Sequence, residues 1–214
     1  MSILELNQVS FSYGKRKILD DISYQFEKGR MYAIVGPSGV GKTTLLSVLA
    51  GLAKPQSGRL LYDGKDINRL DKYVYRSKYV GVIFQSFNLL TRYTALENIV
   101  LSMDISGVHD GNKKERAMEL LEKVGLDKEE ANRRILRLSG GQQQRVAIAR
   151  ALSYGPDIIL ADEPTGNLDG GTEKAIMDIF RGLADAGKCV VIVTHSPSVS
   201  KRCDEVYELQ KAKK

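Results

Sequence analysis

The sequence predicts an α/β fold built on a mostly parallel sheet with helices on both faces. Short apolar runs at 31–35, 79–84, 158–161 and 189–194 have the length of buried strands. Segments with helical spacing, at 42–52, 142–152 and 172–183, fall between them. Strands alternating with helices of this length imply crossover connections, the way parallel strands are joined. The first run also ends in a glycine-rich turn that opens a helix, an arrangement typical of such sheets. At 214 residues the chain is long enough for one large domain, or one domain with an inserted lobe.

In chain order, 3–12 and 18–26 alternate loosely and read as strands, followed by the run 31–35. The helix 42–52 stops at Gly51, and Asp63-Gly64 marks a turn between short segments. From about 94 to 137 the pattern is helical and rich in charge, which reads as a helical lobe inserted between strands. Alternation then resumes, with the strand 158–161 closed by Pro164, which cannot donate to a ladder.

Composition narrows the classes. Hydrophobic residues make up 43% and charged residues 27%, ordinary for a globular protein. Nothing approaches the ~18 consecutive apolar residues of a membrane-spanning helix. The N-terminus lacks the basic and apolar pattern of a secretory signal. The expectation is a cytoplasmic chain whose membrane role, if any, is borrowed from a partner. Cys189 and Cys203 are too few for a disulfide framework, and Cys189 lies in an apolar run as a small core residue. The formal net charge is +6, and its basic clusters (Lys113-Lys114, Arg133-Arg134 and the tail 211–214) are short. No nucleic-acid motif accompanies them, so no nucleic-acid partner is expected. His109 reads as a surface loop residue.

Gly36-Pro37-Ser38-Gly39-Val40-Gly41-Lys42-Thr43, with Thr44 next, fits the pattern of a phosphate-binding loop, G-x-x-x-x-G-K-[ST]. Glycines let successive N–H groups converge on phosphate oxygens, and the helix start adds its positive dipole end. Lys42 supplies a cation to the terminal phosphates, and Thr43 a hydroxyl to Mg²⁺. Asp162 and Glu163 follow the apolar strand, where ligands of open α/β sheets sit. Asp162 is placed to hold Mg²⁺, and Glu163 to polarise an attacking water. These features specify a phosphate-handling enzyme but not which one, since kinases, GTPases and motors share the loop.

Leu138-Ser139-Gly140-Gly141-Gln142 narrows the choice. Ser139 is a good N-cap, and with two glycines and the first free amides of a helix it makes a second anion-binding surface. The segment resembles the signature motif of ATP-binding-cassette (ABC) ATPases, and further family motifs occur in the expected order. Tyr13 matches the aromatic that stacks on adenine, Gln85 the Q-loop, Asn167-Leu168-Asp169 the D-loop, and His195 the switch histidine. The resemblance covers essentially the whole chain.

The resemblance implies a P-loop NTPase of RecA-like type, with an antiparallel β subdomain and the inserted lobe. It divides the single domain into a catalytic core (1–85 and 138–214) and a helical lobe (86–137). It implies ATP hydrolysis with Glu163, His195 and Gln85 as catalytic residues, and Mg²⁺ held by Thr43, Gln85 and Asp162. It also implies an ATP-dependent homodimer, with the phosphate loop of one subunit facing Ser139, Gly140, Gly141 and Gln142 of the other, and Asp169 at the seam. The partner is a separate membrane permease, which would hold the chain peripherally on the cytoplasmic face. The segments 84–90 and 162–169 look like the subgroup that serves lipoprotein release, macrolide export and antimicrobial-peptide resistance. A stand-alone or force-transmitting ABC ATPase is the alternative.

Three other readings fit less well. DNA-repair and chromosome-organising ATPases carry long heptad insertions, translation-factor-like ATPases join two cassettes, and a P-loop kinase leaves residues 138–142 unexplained. Two departures from the family stand out. Ser196 follows His195 where an acid is common, and the end 208–214 lacks the usual Asp-Gly turn and last strand. On this reading the second leaves no room for a C-terminal regulatory domain and points to a weaker edge strand or to a trimmed end.

Overall fold

The structure, a computed structural model, describes residues 2–108, 111–166 and 168–212. His109 and Asn167 therefore lie outside the described residues, as do the last two lysines of the tail. Two sheets form. The antiparallel sheet has the order β2-β1-β4-β5, from β1 (Ser2–Tyr13), β2 (Arg16–Glu27), β4 (Ser57–Tyr62) and β5 (Lys65–Asp66). The second sheet has the order β6-β7-β8-β3-β9, from β3 (Met31–Val35), β6 (Val80–Ile83), β7 (Ile158–Asp162), β8 (Cys189–Val193) and β9 (Glu205–Glu208). Every pair in it is parallel.

The parallel strands are apolar on both faces because both are covered. On β7, Ile158 and Leu160 face one core while Ile159 and Ala161 face the other, and β8 repeats the alternation. The first core is closed by α1 (Lys42–Leu49) and the antiparallel sheet. The second is closed by α6 (Gly140–Leu152), α7 (Gly170–Asp185) and the helices between β6 and α6. Of those helices, α3 (Ala95–Ile105) and α4 (Lys113–Lys123) bury Ile99, Met103 and Leu121 in that same core, beside the short α5 (Lys128–Ala131). The segment 86–137 thus shares a core with the sheet.

Several elements differ from the sequence reading. Residues 67–79, read only as short segments, form a 3₁₀ turn, the short α2 (Lys72–Val74) and a π-helical stretch that buries Tyr75. The hydroxyl of Tyr75 donates to the Leu49 carbonyl at 2.8 Å, fixing this stretch on the end of α1. Helices α6 and α7 each begin two residues earlier than their apolar spacing indicates. Ser139 and Asp169 cap them, and the glycines that follow complete the first turn despite low helix propensity. The edge strand β9 went unread because its residues alternate between partly buried and exposed. It is held by β3 and by Tyr207, which stacks on Tyr24 at 4.1 Å. The small α8 (Pro197–Ser200) precedes it.

Candidate active site

A cleft of about 570 Å³ opens beyond the carboxyl ends of β3 and β7. Its phosphate-loop wall consists of Ser38, Gly39, Gly41, Lys42, Thr43 and Thr44. Gly41 caps α1 in the left-handed region, at φ 115°, and no side chain bonds the first amides of the helix. Lys42 curls back, and its Nζ donates to the carbonyls of Gly36 (2.8 Å) and Pro37 (3.2 Å). Gly36, Pro37 and the buried Val40 shape the loop without lining the cleft. Gly36 has φ +151°, and a Cβ there would come within 2.6 Å of the Leu209 carbonyl oxygen. The chain beyond β9 therefore presses on the root of the loop, and only glycine fits.

The opposite wall carries Asp162, Glu163, His195 and Gln85. Asp162 ends β7 and accepts a 2.9 Å hydrogen bond from Thr43 Oγ1. Burial raises its pKa above the ordinary carboxylate value, with the Thr43 bond working in the opposite direction. Glu163 follows in the left-handed region, at φ 45°, a conformation unfavourable for a residue with a side chain. Its N–H donates to the Val193 carbonyl (2.9 Å) and its Oε1 lies 2.7 Å from His195 Nδ1. The backbone reversal sends the two adjacent carboxylates to different partners. Thr43 and Asp162 together offer hard oxygen donors suited to Mg²⁺, an ion that takes one or two protein ligands plus substrate phosphates. Among the described residues no cluster of three or more His, Cys, Asp or Glu could hold a metal by itself.

Tyr13 forms the third side. It is 61% exposed and packs edge-on against Phe11 at 4.9 Å. Arg16 and Ile18 line the cleft beside it, and the sequence reading missed both. The available signal was the Gly14-Lys15 turn, which pairs Arg16 directly with Tyr13 across the hairpin.

The second glycine-rich helix start is elsewhere. Ser139, Gly140, Gly141, Gln142 and Asp169 do not line this cleft. Ser139 Oγ accepts from the Gln142 amide (3.2 Å), and Gln142 Oε1 accepts from the Ser139 amide (2.8 Å), a reciprocal capping box. Gln142 Nε2 also donates to Glu130 on α5. Asp169 caps α7, taking the amides of Gly171 and Thr172 (3.0 Å each) and the Thr172 hydroxyl (2.6 Å). Those bonds, the hydroxyl first, lower its pKa. A Cβ on Gly141 would stand 2.7 Å from the Thr172 methyl, so this glycine lets the starts of α6 and α7 touch.

Known proteins are similar to this chain in sequence and in fold. The protein-family profile described as ABC transporter matches residues 19–166. The chain is similar to the uncharacterised ABC transporter ATP-binding protein YclH of Bacillus subtilis (strain 168), at 45% identity over 95% of this chain and 92% of that protein. It is similar to the macrolide export ATP-binding/permease protein MacB of Salmonella typhimurium, at 42% identity over 99% of this chain but only 34% of that protein. Among solved structures, the dimeric bacterial ABC transporter cassette MJ0796 superposes with a TM-score of 0.86 at 37% identity, over 96% of this chain and 94% of that one. A post-hydrolysis dimer of MJ0796 bound to ADP and phosphate gives 0.87 at 37% identity, over 97% and 94%. With the glycine-rich loop, the paired acids and His195 around one cleft, and relatives of this similarity, the chain belongs to the ABC transporter ATP-binding family and is an ATPase.

Proposed function

We propose that the chain hydrolyses ATP as one half of an ATP-dependent homodimer and thereby drives a separate membrane permease. The observation that carries this reading is the separation of two anion-binding helix starts, only one of which borders the cleft. The second, at Ser139–Gln142, needs a second chain to bring it to a nucleotide, and the dimeric cassettes of similar fold support that arrangement. Asp169 would stand at the seam. The core is read as 1–85 with 138–214, and the lobe as 86–137.

In this reading Tyr13 stacks on adenine, while the amides of Ser38, Gly39 and Gly41, with Lys42 and Thr44, hold the phosphates and Gly36, Pro37 and Val40 shape the loop around them. Thr43, Asp162 and Gln85 would hold Mg²⁺, which when bound neutralises charge on the phosphate oxygens. Glu163 accepts a proton from the attacking water, and the imidazole of His195 fixes the carboxylate at Oε1. The γ-phosphoryl group passes to that water, leaving ADP and phosphate. Positioning and charge neutralisation supply most of the rate.

The permease reading rests on a groove of about 490 Å³ between Tyr73, Arg76 and the exposed side of α3. Its apolar members Tyr73 and Ile105 are exposed, and Leu90 adjoins them. Arg150, on α6, donates to the carbonyls of Phe87 and Asn88, both in left-handed conformation. This strained turn begins two residues after Gln85, so the cleft and the groove share one short segment through which closure is transmitted. The chain would sit peripherally on the cytoplasmic face through that permease. Its likeness to MacB supports the macrolide-export and lipoprotein-release subgroup.

The decisive test is Glu163→Gln. Turnover is expected to fall at least ~10²-fold, the scale of losing a general base. ATP binding persists, and the variant elutes as a dimer when saturated with ATP. A variant that stays monomeric at saturating ATP overturns the sandwich.

A further inference from the structure

We propose that a concave patch of arginines between α5 and the loop before α3 binds the phosphate headgroups of an anionic bilayer surface. The patch encloses about 710 Å³ and is lined by Arg92, Arg133, Arg134 and Arg137, with Leu136 beside them. No acidic side chain lines it. Arg133 pairs with Glu129 on α5. The guanidinium groups of Arg92, Arg134 and Arg137 have no hydrogen-bonded or ionic partner among the described residues. The like charges of these three unpaired arginines repel one another, and an anion in their midst relieves that cost. The planar fork of arginine matches two oxygens of a phosphate, so the chemistry favoured is phosphate.

The patch is built on cross-linked backbone. The Ala95 amide donates to the Arg133 carbonyl (3.1 Å), and the Ile135 amide to the Tyr93 carbonyl (3.2 Å). Thr94 and Arg134 pair as an isolated antiparallel bridge, and the Thr94–Glu97 capping box fixes the start of α3. The arginines therefore project from two segments that cannot drift apart, and little order remains to be imposed on binding.

Two observations favour a bilayer over a soluble anion. Leu136, 75% exposed, lines the patch, and Tyr93, 45% exposed, follows Arg92 in the chain, so apolar and aromatic side chains accompany the arginines, the mixture found at membrane interfaces. The patch also begins at Thr91, the residue after Leu90 of the groove assigned to the permease. Its orientation toward the membrane rests on that reading; its ligand chemistry does not.

The test is co-sedimentation of the purified chain with vesicles of phosphatidylcholine, alone or mixed with phosphatidylglycerol. Binding is expected only to the mixed vesicles, falling as salt rises. At low salt each arginine is worth on the order of fivefold. Arg92→Glu with Arg134→Glu should therefore weaken binding at least about 25-fold. Arg92→Gln with Arg134→Gln, gentler on folding, should weaken it in the same direction. Lys65→Glu with Arg69→Glu, equal in charge change but at the far edge of the antiparallel sheet, should bind like the wild type. Retained ATP hydrolysis certifies that each variant is folded.

Three results overturn the proposal. They are no wild-type binding to mixed vesicles, equal losses in the patch and control variants, and displacement by inorganic phosphate at matched ionic strength, which would make the ligand a soluble phosphate. None of them bears on the ATP-driven dimer, which is measured without vesicles.

Discussion

The two glycine-rich helix starts, at α1 and α6, are built from similar residues and end in different situations. At α1 the cap is a glycine, no side chain bonds the first amides, and a cleft stands in front. At α6 Ser139 and Gln142 satisfy each other's amides, Glu130 holds Gln142 from behind, and Ser139 and Gly140 face outward with no share in the cleft. Local chemistry equips both starts for an anion. Only tertiary position decides which of them borders the cleft.

The sharpest way to break this contrast is a mixing experiment. Lys42→Ala alone and Ser139→Arg alone should each lose at least about 10²-fold in turnover, the scale of removing a preorganised charge stabiliser. Mixed together they should regain measurable activity, because one of the two seams in the heterodimer pairs an intact phosphate loop with an intact signature. If the mixture stays as inactive as its components, the division of labour between the two helix starts is wrong.

The next effect separates the two starts in a single chain. Lys42→Ala should weaken ATP binding by the monomer about 10- to 100-fold, the value of a hydrogen bond to a charged group. Ser139→Ala should leave it unchanged in the same titration. A loss in both variants would mean that the signature serves its own subunit.

Gly141→Ala sharpens the structural side. Its methyl would meet that of Thr172, which cannot turn away without giving up its bond to Asp169. The expected cost is about 1–3 kcal/mol in a denaturant titration. Thr172→Ser, which removes the methyl and keeps the hydroxyl, should recover most of it in the double variant. Without recovery, the α6–α7 contact is not what requires the glycine.

The smallest effect is in pH. The pKa of Asp169 is depressed by bonds it makes only in the folded state, so the stability it contributes is fully present above the ordinary carboxylate pKa. That contribution is lost as pH falls through the depressed value. Asp169→Asn keeps a capping oxygen and should flatten this part of the stability–pH curve. Identical curves for both proteins would deny the shift.

Much of the fold was legible because its signals are local. β3, α1, β6, β7 and β8 lie within a few residues of where apolar runs and helical spacing put them. Such runs are unambiguous where a strand is buried on both faces. The stretch 67–79 was not legible, since its shape depends on Tyr75 finding the end of α1. Nor was β9, a half-exposed strand held by stacking on a tyrosine more than 180 residues away in sequence. Within the cleft, the motif residues were visible as residue types at fixed spacing. Arg16 and Ile18 enter it only because the hairpin folds them beside Tyr13.

By itself the sequence determined the local elements: a glycine-rich loop of the phosphate-binding pattern, two acids after a buried strand, and a second glycine-rich helix start. These depend on neighbours within a few residues, whose backbone geometry is set by glycines, caps and strand ends. The tertiary structure decided the pairings: Glu163 with His195, Thr43 with Asp162, the chain just beyond β9 against the root of the glycine-rich loop, and the Ser139–Gln142 turn outside the cleft. Each joins segments far apart in the chain, and burial of the shared cores, not local preference, brings them together.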